Sequence, residues 1–281
     1  YLVYFKKTRG VGDGYIDDAR RLLRAFHRYL QKRDLDLGRV EIEHVDDFLA
    51  GHNRRFSSSA KRRNRSHLRN FFKYLRFELR IVKKDIAGLI VGATEFAQTK
   101  PPKFLRPDEI RQVFENLSFD GEKALRQSAM IHLAFSLGLR PREIRSILLD
   151  DISFERGAIN LPNRKCDNPF ELPLPEVAIK AVAAYIIGAR PDSEHRHLLL
   201  TLTTPHRPLS VQRVSTEISA ALKVVNAEAT AYWLRHTYAQ NMLAAGADIF
   251  EVKEMMGHDR IQSTRRYISI DLESMRRLFD D

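Results

Sequence analysis

The sequence predicts a mainly α-helical fold with a small antiparallel β-sheet, divided into two domains. Three observations carry that prediction. Apolar residues recur at helical spacing through residues 15–84 and again beyond residue 107. Short β-prone runs gather only between residues 151 and 174. A polar, proline-marked stretch around Pro101-Pro102 separates a basic portion from a neutral one.

The elements follow in order. Residues 15–31 place Ile16, Leu22, Leu23, Phe26 and Leu30 on one helical face, and 43–52 form a second, shorter helix. A third helix is predicted over 57–84, with Ser57-Ser58-Ser59 offering N-caps. Its Leu68, Phe72, Leu75 and Leu79 make an apolar face; Arg62, Arg65, Arg69, Lys73, Arg76 and Arg80 make a basic row beside it. Gly10, Gly12 and Gly14 lack the βαβ context of a nucleotide cradle and read as a loop. The linker cannot continue a helix through its prolines, and Pro107-Asp108-Glu109 opens the next one. The domain boundaries expected are therefore 1–96 for a helical domain, 97–106 for the linker and 107–281 for the second domain.

In the second domain, 122–137 reads as a buried helix stopped by Gly138, and Pro141 starts another. Runs at 151–154, 157–161 and 170–174, with turns at Arg156-Gly157 and Asp167-Asn168-Pro169, predict the sheet. Helices return at 175–187, 211–225, 230–245 and 248–256, with Gly246 and Gly257 at cap positions.

Charge is unevenly distributed. Residues 1–100 hold 23 Lys and Arg against 12 Asp and Glu, whereas residues 101–281 hold 24 of each, so the whole net +11 lies in the first third. A basic clamp for a polyanion, joined to a domain with another task, fits that asymmetry. A membrane surface is the rival polyanion, but neither a lipidation signal nor an anchoring helix accompanies the charge. Cys166 is the single cysteine, which excludes an internal disulfide and suits a reducing compartment. The chain opens on Tyr1 without a secretory pattern, no zinc-type spacing occurs, and neither metal nor cofactor is expected.

The chemistry-bearing residues lie in the second domain. Arg140 projects from the turn between two helices, with Glu143 in the first turn of the next helix placed to orient a cation. Lys165 falls on a predicted hairpin, where an ammonium can swing towards a leaving oxygen. Tyr232, Arg235 and His236 share one helical face. His258 precedes Tyr267 by nine residues. Each of these alone is ordinarily a solvated or packed side chain. Together they offer two planar guanidiniums for the non-bridging oxygens of a phosphodiester, an acid, and a phenol able to attack phosphorus.

Four motifs in order resemble the tyrosine recombinases, the phage-integrase family. They are Ala134-Phe135-Ser136-Leu137-Gly138-Leu139-Arg140-Pro141-Arg142-Glu143-Ile144, Asn163-Arg164-Lys165-Cys166 with Leu172-Pro173-Leu174, Leu234-Arg235-His236-Thr237-Tyr238-Ala239, and Gly257-His258 with Thr264-Arg265-Arg266-Tyr267. Residues 15–90 are similar to that family's helical core-binding domain, and Lys103-Phe104-Leu105-Arg106 to its linker. The resemblance implies a helical core-binding domain followed by an α+β catalytic domain, and a site-specific recombinase that needs no metal or nucleotide. It assigns Arg140 and Arg235 to the scissile phosphate, Glu143 to support, Lys165 to general acid, His258 to a phosphate hydrogen bond and Tyr267 to nucleophile. Double-stranded DNA is the implied partner, gripped in part by the basic row. The implied assembly is a tetramer on two DNA sites, formed from a chain that can be monomeric when free, in the cytoplasm and associated with the nucleoid. The tail 271–279 reads as an amphipathic helix for its own domain or for a neighbouring protomer.

One position departs from the family pattern. Tyr232 stands where these enzymes usually carry His, three residues before the second arginine. A phenol donates a hydrogen bond but is a poor base near neutrality. A binding-only recombinase fold and a type IB topoisomerase-like activity therefore stay open, as does a metal-dependent nuclease using Asp150 and Asp151.

Overall fold

The computed structural model describes residues 1–92, 102–161, 170–257 and 264. The chain divides into two compact units, Tyr1–Ala97 and Gln98–Asp281.

The first unit contains α1 (Leu2–Arg9), α2 (Asp13–Gln31), α3 (Ile42–His52), α4 (Ser58–Phe77) and the single turn α5 (Ile86–Leu89). Gly10 closes α1 in the left-handed region at φ 59°, and Gly12 caps α2, so Gly14 lies inside a helix rather than in a loop. The amphipathic stripe of α2 buries Ile16, and packs Leu22, Phe26 and Leu30 against Val45, Phe48, Leu68, Phe72 and Leu75. The Ser57 hydroxyl accepts from the Ala60 amide and starts α4 where the serine run predicts.

α4 ends seven residues earlier than its apolar pattern suggests. Arg80 takes φ 53°, and the Leu79 and Ile81 amides turn back to the Tyr74 and Leu75 carbonyls. Leu79 consequently leaves the buried face and is 48% exposed, while Val82 and Ile86 return to the core.

His67, on the inner face of α4, is fully buried against the Tyr15 ring at 4.3 Å, and neither ring nitrogen has a hydrogen-bond partner among the described residues. Burial lowers its pKa from the ordinary 6.5; Arg63 pushes the same way and Asp18 opposes. The unfolded chain therefore takes up a proton at a pH where the folded one does not. Stability is intact above about pH 6.5 and declines as the pH falls from there towards the depressed folded value. A His67→Phe variant is expected to show a flatter dependence of the urea midpoint between about pH 7 and pH 5 than the parent. Parallel curves would mean that His67 protonates freely in the folded state.

In the second unit, residues 102–106 run extended into α6 (Pro107–Glu115), followed by α7 (Glu122–Leu137) and α8 (Pro141–Ser146). Strands β1 (Ile152–Ser153), β2 (Ala158–Leu161) and β3 (Phe170–Pro173) form an antiparallel sheet in chain order, with Ile159 opposite both Ile152 and Leu172. Gly157 turns between the first two strands at φ 59°. Helices α9 (Glu176–Gly188), α10 (Val211–Leu222), α11 (Ala231–Ala244) and α12 (Ile249–Met255) follow among the described residues. The protein is thus mainly helical with one small sheet, as the sequence predicts.

The core of this unit surrounds α7, whose Met130, Ile131, Leu133 and Ala134 are all buried among residues of α9, α10 and the sheet. An ion pair crosses it. Arg126 Nη2 and Nε donate to the two oxygens of Glu217 at 2.8 and 3.3 Å, and Arg126 Nη1 donates to the Leu200 carbonyl. With each of the three guanidinium nitrogens donating to an oxygen, the pair fixes how α7 and α10 align.

The end of the linker is not free. Leu105 is 1% exposed, and its amide donates to the buried Thr237 hydroxyl at 2.9 Å. Thr237 in turn donates to the Trp233 carbonyl, while Lys103 pairs with Glu228 and lies over the Trp233 ring.

Candidate active site

The site begins at the end of α7. Gly138 adopts φ 59°, a conformation that disfavours any side chain, and this turns the chain out of the helix. Leu139 is anchored in the core, Arg140 becomes the N-cap of α8 and Pro141 its first residue. Glu143, at the third position, folds back on this start. Its Oε2 accepts the Arg140 amide at 2.7 Å and its Oε1 accepts Arg140 Nη1 at 2.6 Å. The same carboxylate therefore caps the helix and holds the guanidinium.

Arg235 reaches the same place from α11. Its side chain is only 4% exposed and lies 3.7 Å from Glu143 Oε2. Its Nη1 donates to the Gly138 carbonyl at 2.5 Å, and its Nη2 donates to the Met256 carbonyl. Arg140 meets the same segment: Nη1 donates to Met256 O at 3.4 Å and Nη2 to Gly257 O at 3.2 Å. These carbonyls lie just beyond the last turn of α12, where backbone acceptors have no partner within the helix. Three elements far apart in sequence thus converge: the α7–α8 turn, α11 and the end of α12.

Around this convergence two permanent positive charges face one carboxylate. Arg235 is sequestered, whereas the Arg140 side chain keeps 32% of its surface exposed. An arrangement of this kind suits an incoming anion whose oxygens accept from planar guanidiniums; phosphate meets that requirement.

Other expected residues fall elsewhere or outside the described portion. Tyr232 is half-exposed on α11, one turn before Arg235. Lys165, His258 and Tyr267, and the tail 271–279, lie outside the described residues. Asp150 is engaged by Arg196, which lowers its pKa, and Asp151 accepts the Leu148 amide. Both acids are thereby committed to holding loops. No cluster of metal-ligating side chains occurs among the described residues.

The basic row belongs to the first unit, and its members differ. Arg62 and Lys73 are exposed on α4. Arg69 donates to the Ile90 carbonyl at 2.6 Å, and Arg76 pairs with Asp85 at 3.0 Å, so both tie the 82–91 segment to α4. Arg65 packs so closely on Gly92 that a Cβ there would lie 2.4 Å from its Nε. Arg80, in the turn after Phe77, is off the helix, contrary to the regular spacing predicted.

Sequence reasoning missed the backbone acceptors at Gly138, Met256 and Gly257. The glycines at 138 and 257 were legible as helix caps, which is the only signal the carbonyls could leave.

Residues 103–273 match the phage integrase family, and residues 1–78 match the phage integrase N-terminal SAM-like domain. An integrase/recombinase of Sinorhizobium fredii is 27% identical over 249 residues, covering 87% of this chain; the chain spans only 60% of that relative. The tyrosine recombinase XerC of Azotobacter vinelandii is 26% identical, with 100% of this chain and 93% of that protein covered. The fold is shared with the XerH site-specific recombinase bound to its difH substrate, at a TM-score of 0.77, 19% identity and coverage of 98% and 83% of the two chains. It is shared also with a lambda integrase dimer on a core site, at 0.68, 17% identity and coverage of 95% and 93%. With 171 matched residues spanning the convergence of Arg140, Glu143 and Arg235, the chain belongs to the phage integrase family of tyrosine recombinases.

Proposed function

We propose that this chain binds double-stranded DNA and exchanges strands at specific sites through a covalent protein–DNA intermediate. The observation that carries the reading is the meeting of Arg140 and Arg235 about one carboxylate, Glu143, with Arg140 still open to solvent. Two guanidiniums would hold the non-bridging oxygens of the scissile phosphate and stabilise the charge that accumulates on them. Tyr267 would attack phosphorus and pass its phenolic proton to His258 or water as it does so, since a free phenol titrates near about pH 10. The bond to the 5′-oxygen breaks, and Lys165 gives that oxygen its proton. A 3′-phosphotyrosyl link conserves the phosphoester, so a 5′-hydroxyl from a partner strand can displace the tyrosine without nucleotide or metal.

His258 would add a hydrogen bond to the phosphate, and Tyr232 would do so from the position where the family usually has His. The exposed cations of the row, Arg62 and Lys73 first, would contact DNA phosphates without reading sequence. In this reading 1–96 grips DNA, 97–106 links and 107–281 carries the chemistry. Similar proteins act on DNA, among them the XerH recombinase solved on difH. A tetramer on two sites would be the working assembly.

The test is a duplex library carrying a nick opposite each candidate site, so that the cleaved strand end diffuses away. In the presence of chelator, a denaturation-resistant protein–DNA species should accumulate, with the protein joined to the 3′-phosphate end left at the break. Its absence on every site, or its dependence on a divalent ion, would overturn the reading.

A further inference from the structure

Tyr238 has no part in the chemistry above, yet its ring lies against Gly138 and packs on the cluster that contains Met256, two residues that hold Arg235. On one side it lies against Gly138 so closely that a Cβ at 138 would come within 2.5 Å of Cδ1 and 2.9 Å of Cγ. On the other it packs against the small apolar cluster of Ala239, Val252 and Met256. Among the described residues, Gly138 and Met256 are also those whose carbonyls accept from Arg235. Met256 O accepts from Arg140 as well.

The geometry points to Tyr238 as a positioning residue: a spacer whose ring sets where the Gly138 and Met256 carbonyls stand, and so where the Arg235 guanidinium is aimed. Three features support this beyond ordinary packing. The cluster of Ala239, Val252 and Met256 has three buried residues among those described, and the Tyr238 ring packs on it beside Met242, Leu243 and Ala247, so the ring is part of what holds α12 to α11. Gly138 is left-handed at φ 59°, and the Tyr238 ring lies against it in the space that a Cβ would take. Arg235 is buried, so its fork cannot recruit water if a carbonyl moves away; it must follow the carbonyl. Loss of the ring would let α12 settle towards α11, shift Met256 O, and rotate both guanidiniums that share it.

This inference rests on the recombinase reading, and a single set of rates separates the two. On a nicked duplex under single-turnover conditions, Tyr238→Leu should lower the rate constant for adduct formation by about tenfold to a hundredfold, the scale of a misplaced reacting group. The dissociation constant for DNA should stay within about threefold, because no phosphate contact is lost. Tyr238→Phe, which keeps the ring, should cleave at close to the parental rate. A merely structural loss would reduce the burst amplitude, through the folded fraction, and leave the rate constant alone. Coupling supplies the second readout: in an Arg235→Lys background, Tyr238→Leu should cost much less than in the parent, because contacting residues are not additive. Parental kinetics in Tyr238→Leu, a Phe variant as slow as the Leu one, or full additivity with Arg235→Lys would each overturn the positioning role alone. A parent that forms no adduct would overturn the recombinase reading, and this role with it.

Discussion

Replacing Arg235 with Ala is expected to slow adduct formation by about a thousandfold, the loss seen when one preorganised charge is taken from a phosphoryl or acyl transition state. The size follows from burial. The side chain is 4% exposed, and in that setting a guanidinium acts on a developing negative charge with little screening from water. The same substitution takes the donor from the Gly138 carbonyl and leaves the Met256 carbonyl with only the longer bond from Arg140, at 3.4 Å, among the described residues. Each buried acceptor left unpaired costs about 1–3 kcal/mol, so the urea midpoint should fall together with the rate. Arg235→Lys distinguishes the two effects. An ammonium keeps the charge but cannot donate to two carbonyls and a phosphate in one plane, so it should recover part of the stability and little of the rate. Single-turnover cleavage beside urea titration measures both. A cleavage rate within about tenfold of the parent would exclude Arg235 from the transition state.

Tyr267→Phe is expected to remove the covalent species entirely while leaving DNA affinity within about threefold, because in the proposed reaction the hydroxyl would supply the attacking oxygen. The ring is kept, so packing should change little. Gel separation under denaturing conditions detects the adduct, and mobility shift at fixed salt reports affinity, which falls steeply with ionic strength for any phosphate-contacting protein. Undiminished adduct in this variant would assign the nucleophile to another side chain.

How much was legible in the sequence differs by element. The end of α7 at Gly138 and the start of α8 at Pro141 were readable because both residues enforce a backbone state. The end of α4 was not. Leu79, Ile81 and Val82 prolong the apolar pattern, and the reversal depends on Arg80 adopting φ 53°, which arginine does not advertise. α1 escaped notice because Phe5 is the one residue it buries, so no amphipathic stripe exists to detect. Within the site, Arg140, Glu143 and Arg235 could be picked out because their chemistry is specific and their order is distinctive. Their acceptors could not, because a carbonyl belongs to every residue. The regular spacing of the basic row likewise concealed that Arg69 and Arg76 serve the fold of their own unit.

The Leu105–Thr237 hydrogen bond has a mechanical consequence. Tension carried along the polypeptide into residues 102–106 is not absorbed at the first turn of α6. It is taken up by a stitch on α11, two residues beyond the buried arginine. The covalent tether is therefore fastened to the same rod that carries Arg235. A tug on the tether would be felt by that rod before it reached the rest of the catalytic unit.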